Sequence, residues 1–285
     1  MQKTIDRLLI AIFLLLVLAM AFLGENWMKG RVNDQSAIYN SQLVPTIMVP
    51  GSSATNTRFD QMIAILNKNA PVHSLLRVQV AADGSLTYSG RISSNDQQPY
   101  IVIGFENNRD GYDNIKQQAR WLNIAVKALQ KRYHFNHFNT IGHSNGGIAW
   151  AIYMEKYFNP DQNTISTLVT IGSPFNFAER SDKNRTQLLN DLVKSRKKIP
   201  SNLDVYSVAG TETYDDDGIV PIESVLAGRF VFQNNVHSYT EITVAGDDSS
   251  HSDLPTNGQI IDLIERTILK TAPPFNNGRQ ASSGG

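Results

Sequence analysis

Short, continuous runs of apolar and β-branched residues alternate with amphipathic helical stripes along most of this 285-residue chain. Thr46 to Val49, Tyr100 to Phe105, Phe138 to Ile141, Ile165 to Ile171, Asp204 to Val208 and Glu241 to Val244 read as strands. Between them, Phe59, Met62, Ile63 and Leu66 share one helical face, as do Ile115, Ala119, Leu122, Val126 and Leu129. Ile260, Ile261, Ile264 and Ile268 form a last stripe. Strands without polar alternation bury both faces, and a sheet does so only when helices cover each side. The pattern predicts an α/β fold with a mostly parallel central sheet and helices on both faces. One segment departs from it: Val78 and Val80, the Asp83-Gly84 turn, then Leu86 and Tyr88 alternate as a hairpin does.

The N-terminus follows a different logic. Lys3 and Arg7 precede seventeen uncharged residues, Leu8 to Gly24, a length on the border between a signal peptide and a spanning helix. Ala19-Met20-Ala21 offers a cleavage site. The basic flank keeps the N-terminus inside and everything after Gly24 outside. The expected organisation is a signal peptide or membrane anchor at 1–24, a polar linker at 25–43 and one α/β domain at 44–270. A disordered tail at 271–285, with Pro273-Pro274 and a Ser/Gly ending, completes it. Such a chain works on the extracellular face of the membrane or is secreted.

Composition removes several function classes. Lys and Arg total 26, as do Asp and Glu, so no net positive charge draws the chain to nucleic acid. Cysteine is absent, which excludes a cysteine nucleophile, disulfides, a lipoprotein anchor and thiolate metal sites. No His-Glu-x-x-His and no glycine-rich nucleotide loop occurs, so neither a metal nor another cofactor is expected.

Chemistry concentrates in Gly142-His143-Ser144-Asn145-Gly146, a G-x-S-x-G placed between a strand and a helix-like stretch. A sharp strand-to-helix turn pushes a serine out of the sheet, and flanking glycines give the backbone room to bend. Ser144 is the candidate nucleophile, set against the plainer reading of a glycine-rich turn. A nucleophilic serine needs a base to take its proton and a carboxylate to orient that base. Function in a parallel sheet gathers at the carboxyl ends of its strands, and the chain order is serine, acid, histidine. Of six histidines, only His237 and His251 follow the serine. His237 precedes its strand, whereas His251 follows it, so His251 is the expected base. The acid should follow Asp204 to Val208, where Asp215, Asp216 and Asp217 stand. Asp217, beside Gly218 and apolar residues, is the expected carboxylate, its two neighbours are expected to be solvated, and Asp253 is the rival. Two backbone N–H groups should hold the developing oxyanion. Asn145 is one; the other comes from Gly51-Ser52-Ser53, with Ser52 favoured and Ser53 close behind.

Four ordered motifs then come together: Gly142 to Gly147, Ile171-Gly172-Ser173-Pro174-Phe175-Asn176, Asp217-Gly218-Ile219-Val220-Pro221 and His251-Ser252-Asp253-Leu254. With them the chain resembles the cell-surface α/β hydrolases of Gram-positive bacteria, from Val44 to Leu269. The resemblance implies an α/β-hydrolase fold, an anchored or secreted location and a triad of Ser144, Asp217 and His251. It departs from the family at Pro50-Gly51, where His-Gly is usual. The expected activity is cleavage of carboxylic esters, small-molecule or lipid-like, through an acyl-enzyme. The alternative is a catalytically silent surface binding module on the same scaffold. Residues 175–200 are a candidate cap segment over the serine, with an ordinary packed helix the favoured reading.

Overall fold

The computed structural model describes residues 2–39, 41–69, 71–212 and 214–269. Its strands are β1 (Thr46–Val49), β2 (Leu75–Val80), β3 (Leu86–Gly90), β4 (Tyr100–Phe105), β5 (His137–His143), β6 (Thr164–Ile171), β7 (Asp204–Thr211) and β8 (Ser238–Ala245). They form one sheet in the order β3-β2-β4-β1-β5-β6-β7-β8. The expected hairpin, β2 with β3, is the antiparallel pair, and every other neighbouring pair is parallel. The fold is that of an α/β hydrolase.

The unbroken apolar runs follow from burial on both faces. On β1, Ile47 and Val49 enter one core while Met48 points into the other. Ile101 and Ile103 divide from Tyr100 and Val102 on β4 in the same way, as the two-residue period of a strand requires. The first core is closed by α3 (Tyr112–Tyr133) and α4 (Asn145–Lys156), the second by α2 (Asp60–Asn69) and α8 (Gly258–Ile264). The edge strand β8 keeps only Val244 fully buried, so its sequence carries a weaker pattern.

A helix, α5 (Gln187–Ser195), occupies the candidate cap segment. Thr186 opens it, its hydroxyl accepting the Leu189 N–H. Leu188, Leu189 and Leu192 are buried in the first core with Phe175. Lifting three leucines into water would cost about 6 kcal/mol, comparable with the stability of a whole domain. Within the segment, Gln187–Ser195 is thus a helix packed on the first core, while residues 175–186 run as turns and loop. Two short helices follow: α6 (Ile222–Leu226) packs Val225 against Ala209 and Val220, and α7 (Arg229–Phe232) adds Val231 and Phe232 to the first core.

At the N-terminus α1 (Gln2–Tyr39) runs on through most of the stretch expected as a linker, with a Glu25–Lys29 ion pair one turn apart at 2.6 Å. Its window Ile12–Lys29 is long and apolar enough to cross a membrane, and none of it is buried. The tail expected at 271–285 lies outside the described residues.

Candidate active site

β5 ends at His143 and α4 begins at Asn145, leaving Ser144 alone to turn the chain. Its φ of 54° and ψ of −130° put a non-glycine residue in a sparsely populated region, a strain that persists only where the surroundings enforce it. They do so here. The Ser144 N–H donates to Ile171 O at 2.8 Å, and its carbonyl accepts the Gly147 N–H at 3.1 Å. A Cβ on Gly146 would land on the Val49 carbonyl, so only glycine lets α4 sit this close to β1. A Cβ on Gly51 would collide with the Ser144 side chain, which places the loop after β1 directly against the serine.

The loops after β7 and β8 bring Asp217 and His251 together. His251 Nδ1–H donates to Asp217 Oδ2 at 2.7 Å, with Asp217 1% and His251 7% exposed. Asp217 Oδ1 accepts the N–H groups of Val220 (2.7 Å) and Ile219 (3.1 Å), and the His251 N–H returns to the Asp217 carbonyl at 2.7 Å. A buried carboxylate with three hydrogen-bond donors is held in one orientation and fixes the imidazole tautomer. Asp216, expected to be solvated like Asp215, is instead held by Arg180 and the Gly218 N–H. Asp215 and Asp253 are exposed, and Asp253 binds the Ser250 hydroxyl.

Among the described residues no hydrogen bond runs from Ser144 Oγ to the His251 ring. His143 links the two instead. Its Nε2–H donates to the His251 carbonyl at 2.9 Å, and the two rings lie 4.7 Å apart. Burial holds the His143 ring neutral, far below the ordinary imidazole range, and the adjoining His251 pushes the same way. Nothing in the sequence pattern singled out His143, although its position directly before the serine ties it to the site.

The loop after β1 has definite polarity. The Ser53 N–H is committed to the Asn108 carbonyl at 2.9 Å, while no acceptor faces the Ser52 N–H among the described residues. Asn145 also contributes its side chain: Nδ2 donates to Ser52 Oγ at 2.6 Å and to Asp110 Oδ1 at 2.7 Å. Asp110 went unnoticed in the sequence. Its position after β4, at the carboxyl end of a strand, was the available signal.

The remaining histidine–acid pairs sit at the opposite, amino ends of the strands. His73 Nδ1 bonds Asp96 at 2.8 Å, and His237 Nδ1 bonds Asp204 at 2.7 Å. His73, Asp96, His137 and Asp204 line a cavity of about 1050 Å³ at that end, remote from Ser144. Among the described residues no group of three or more His, Cys, Asp or Glu is placed to hold a metal ion.

Known structures agree with this architecture. A protein of Lactobacillus plantarum WCFS1, called a cell surface hydrolase, is 49% identical over 80% of this chain and 92% of its own, with a TM-score of 0.74. The product of gene lin2722 of Listeria innocua is 29% identical over 80% of this chain and 94% of its own, at 0.73. A lipase-esterase related protein of Clostridium acetobutylicum ATCC 824 shares the fold at 13% identity, over 80% of this chain and 96% of its own, at 0.50. No curated protein matches. The family model described as an alpha/beta hydrolase of unknown function (DUF915) matches residues 33–271, and the chain belongs to that family.

Proposed function

We propose that the protein is a serine hydrolase that cleaves carboxylic esters through an acyl-enzyme. The observation that carries this reading is the strained, partly exposed Ser144 beside a buried, hydrogen-bonded His251–Asp217 pair. In the proposed reaction Ser144 Oγ bonds to the carbonyl carbon, the carbonyl π pair moves onto oxygen, and the hydroxyl proton passes to His251 Nε2. Collapse of the adduct breaks the bond to the leaving alkoxide, which takes that proton. Water then repeats the sequence on the acyl-enzyme and releases the acid. Asp217 orients His251 and stabilises its charged form. The N–H groups of Ser52 and Asn145 hold the oxyanion, and the engagement of the Ser53 N–H elsewhere supports Ser52.

The substrates proposed are small-molecule or lipid-like esters, with no part for nucleic acid. Location at the outer face of the membrane, with α1 as anchor or signal, is supported by the exposed apolar helix and by the similar cell surface hydrolase. The experiment is labelling with a fluorophosphonate probe together with turnover of p-nitrophenyl esters of rising chain length. The expected result is a label on Ser144 that Ser144→Ala abolishes, with loss of ester turnover in the same variant. An intact, folded protein that neither takes the label nor turns over any ester would leave the binding-module reading standing.

A further inference from the structure

We propose that the Ser52 side chain is a catalytic residue, a third oxyanion donor held in place by Asn145 and Asp110. The inference rests on the esterase reading above and concerns a group that reading leaves unused.

The Asn145 carboxamide is the starting point. Its Nδ2 carries two hydrogens, one donated to Asp110 Oδ1 at 2.7 Å and the other to Ser52 Oγ at 2.6 Å. Among the described residues its Oδ1 is buried without a partner. An amide normally turns to spare a buried acceptor that cost, about 1–3 kcal/mol. It does not turn here because Oδ1 would then face a carboxylate. Asp110 is itself fixed, since the same Oδ1 accepts the Gly111 N–H at 2.7 Å. The amide orientation is thus set by a charge, and the buried unpartnered oxygen is its consequence.

That orientation dictates what Ser52 can do. Its oxygen accepts from Asn145, so its own proton must point elsewhere, and among the described residues no acceptor takes it. Ser52 follows Gly51, whose α-carbon lies against the Ser144 side chain, and its bonding partner Asn145 directly follows Ser144. A substrate carbonyl attacked by Ser144 develops its negative oxygen between these two residues. The Ser52 hydroxyl then adds an O–H donor to the two backbone N–H groups, oriented before the substrate arrives and needing no reorganisation during reaction. Asp110 and the Asn145 side chain act through Ser52 and are positioning groups.

The test compares Ser52→Ala, Ser52→Thr and Asp110→Asn in the full chain, on p-nitrophenyl acetate and with phenylboronic acid as a tetrahedral mimic. Ser52→Ala should lower kcat about a hundredfold with KM changed less than about threefold, and weaken boronate inhibition by about tenfold or more. Ser52→Thr retains the hydroxyl and should recover most of the loss. Asp110→Asn frees the amide to turn and should lower kcat about tenfold with KM unchanged. Melting temperatures near wild type separate these effects from unfolding. Full kcat in a folded Ser52→Ala protein, with Ser144 still labelled and essential, would overturn the hydroxyl donor and leave the esterase reading intact. A wild-type protein without turnover or label would overturn both.

Discussion

One sheet carries histidine–carboxylate pairs at both of its ends, and the bonds themselves are nearly indistinguishable. His251–Asp217 at the carboxyl ends spans 2.7 Å; His237–Asp204 and His73–Asp96 at the amino ends span 2.7 and 2.8 Å. What separates the ends is their surroundings. At the carboxyl ends a helix begins at a strained serine, and the β1 loop presents an N–H that meets no acceptor among the described residues. At the amino ends the partners are structural. Asp96 ties the Ser74 N–H and hydroxyl into the start of β2, and Asp204 takes the Ser238 hydroxyl at the start of β8. A polarised imidazole becomes a base only where the fold supplies a nucleophile and dipoles beside it. In a parallel sheet those features gather at one end, because each strand runs into the N-terminus of the following helix.

The sharpest way to break this contrast is to remove the imidazoles from both ends. His251→Ala should lower kcat by at least about 10⁴-fold on p-nitrophenyl acetate, as Ser144→Ala should. His73→Ala should leave kcat within about twofold while lowering the melting temperature. Equal losses in kcat at both ends would refute the division.

Changing the acids is a finer cut. Asp217→Asn keeps the packing but lets the His251 ring choose the wrong tautomer, so kcat should fall about 10³- to 10⁴-fold with little change in stability. Asp96→Asn should do the reverse. It weakens two bonds to Ser74 and one to His73, and costs about 1–3 kcal/mol in denaturant unfolding with kcat preserved.

The two ends also differ in how well the sequence exposes them. Burial on both faces wrote β4 and β6 as continuous apolar runs, and the serine stood out because its pentapeptide lies between a strand and a helix. Asp217 and His251 are expected from the order serine, acid, histidine and from their places after separate strands, with the glycine and apolar neighbours of Asp217 choosing among three aspartates. Other features left no local mark. Short helices such as α6 and α7, of five and four residues, hardly complete a turn and show no stripe. The helical stretch after Gly24 has no apolar face to display. The His143–His251 contact joins residues 108 apart and the Asn145–Asp110 bond residues 35 apart. Such pairs exist only once the ends of separate strands are assembled, so neither spacing nor residue type announces them.

Acid stability extends the contrast to smaller effects. His143 at the carboxyl ends and His137 at the amino ends both have pKa values lowered by burial, His143 far more. Below about pH 6.5 the unfolded chain protonates these imidazoles while the folded chain resists. The unfolded state then binds more protons, so stability is fully present above that pH and falls as pH drops. His143 should contribute a loss of about 1.4 kcal/mol per pH unit until its folded pKa is reached. His143→Gln, which keeps a donor for the His251 carbonyl, should flatten denaturant-measured stability between pH 6.5 and 5. His137→Gln should flatten it less. Equal slopes in the two variants would mean that burial treats the two ends alike.

The weakest expected effect belongs to His237. Its side chain is 70% exposed, so the bond to Asp204 is screened by water and salt. His237→Ala should shift the unfolding midpoint by less than about 1 kcal/mol and leave kcat unchanged. This variant matters because His237 is the other histidine that follows the serine in sequence, 14 residues before His251 in an otherwise equivalent order. Its bond to an aspartate is as short as that of His251, so bond length alone would assign it the same work. A silent His237→Ala beside an inactive His251→Ala would show that function here follows the end of the strand on which a histidine sits.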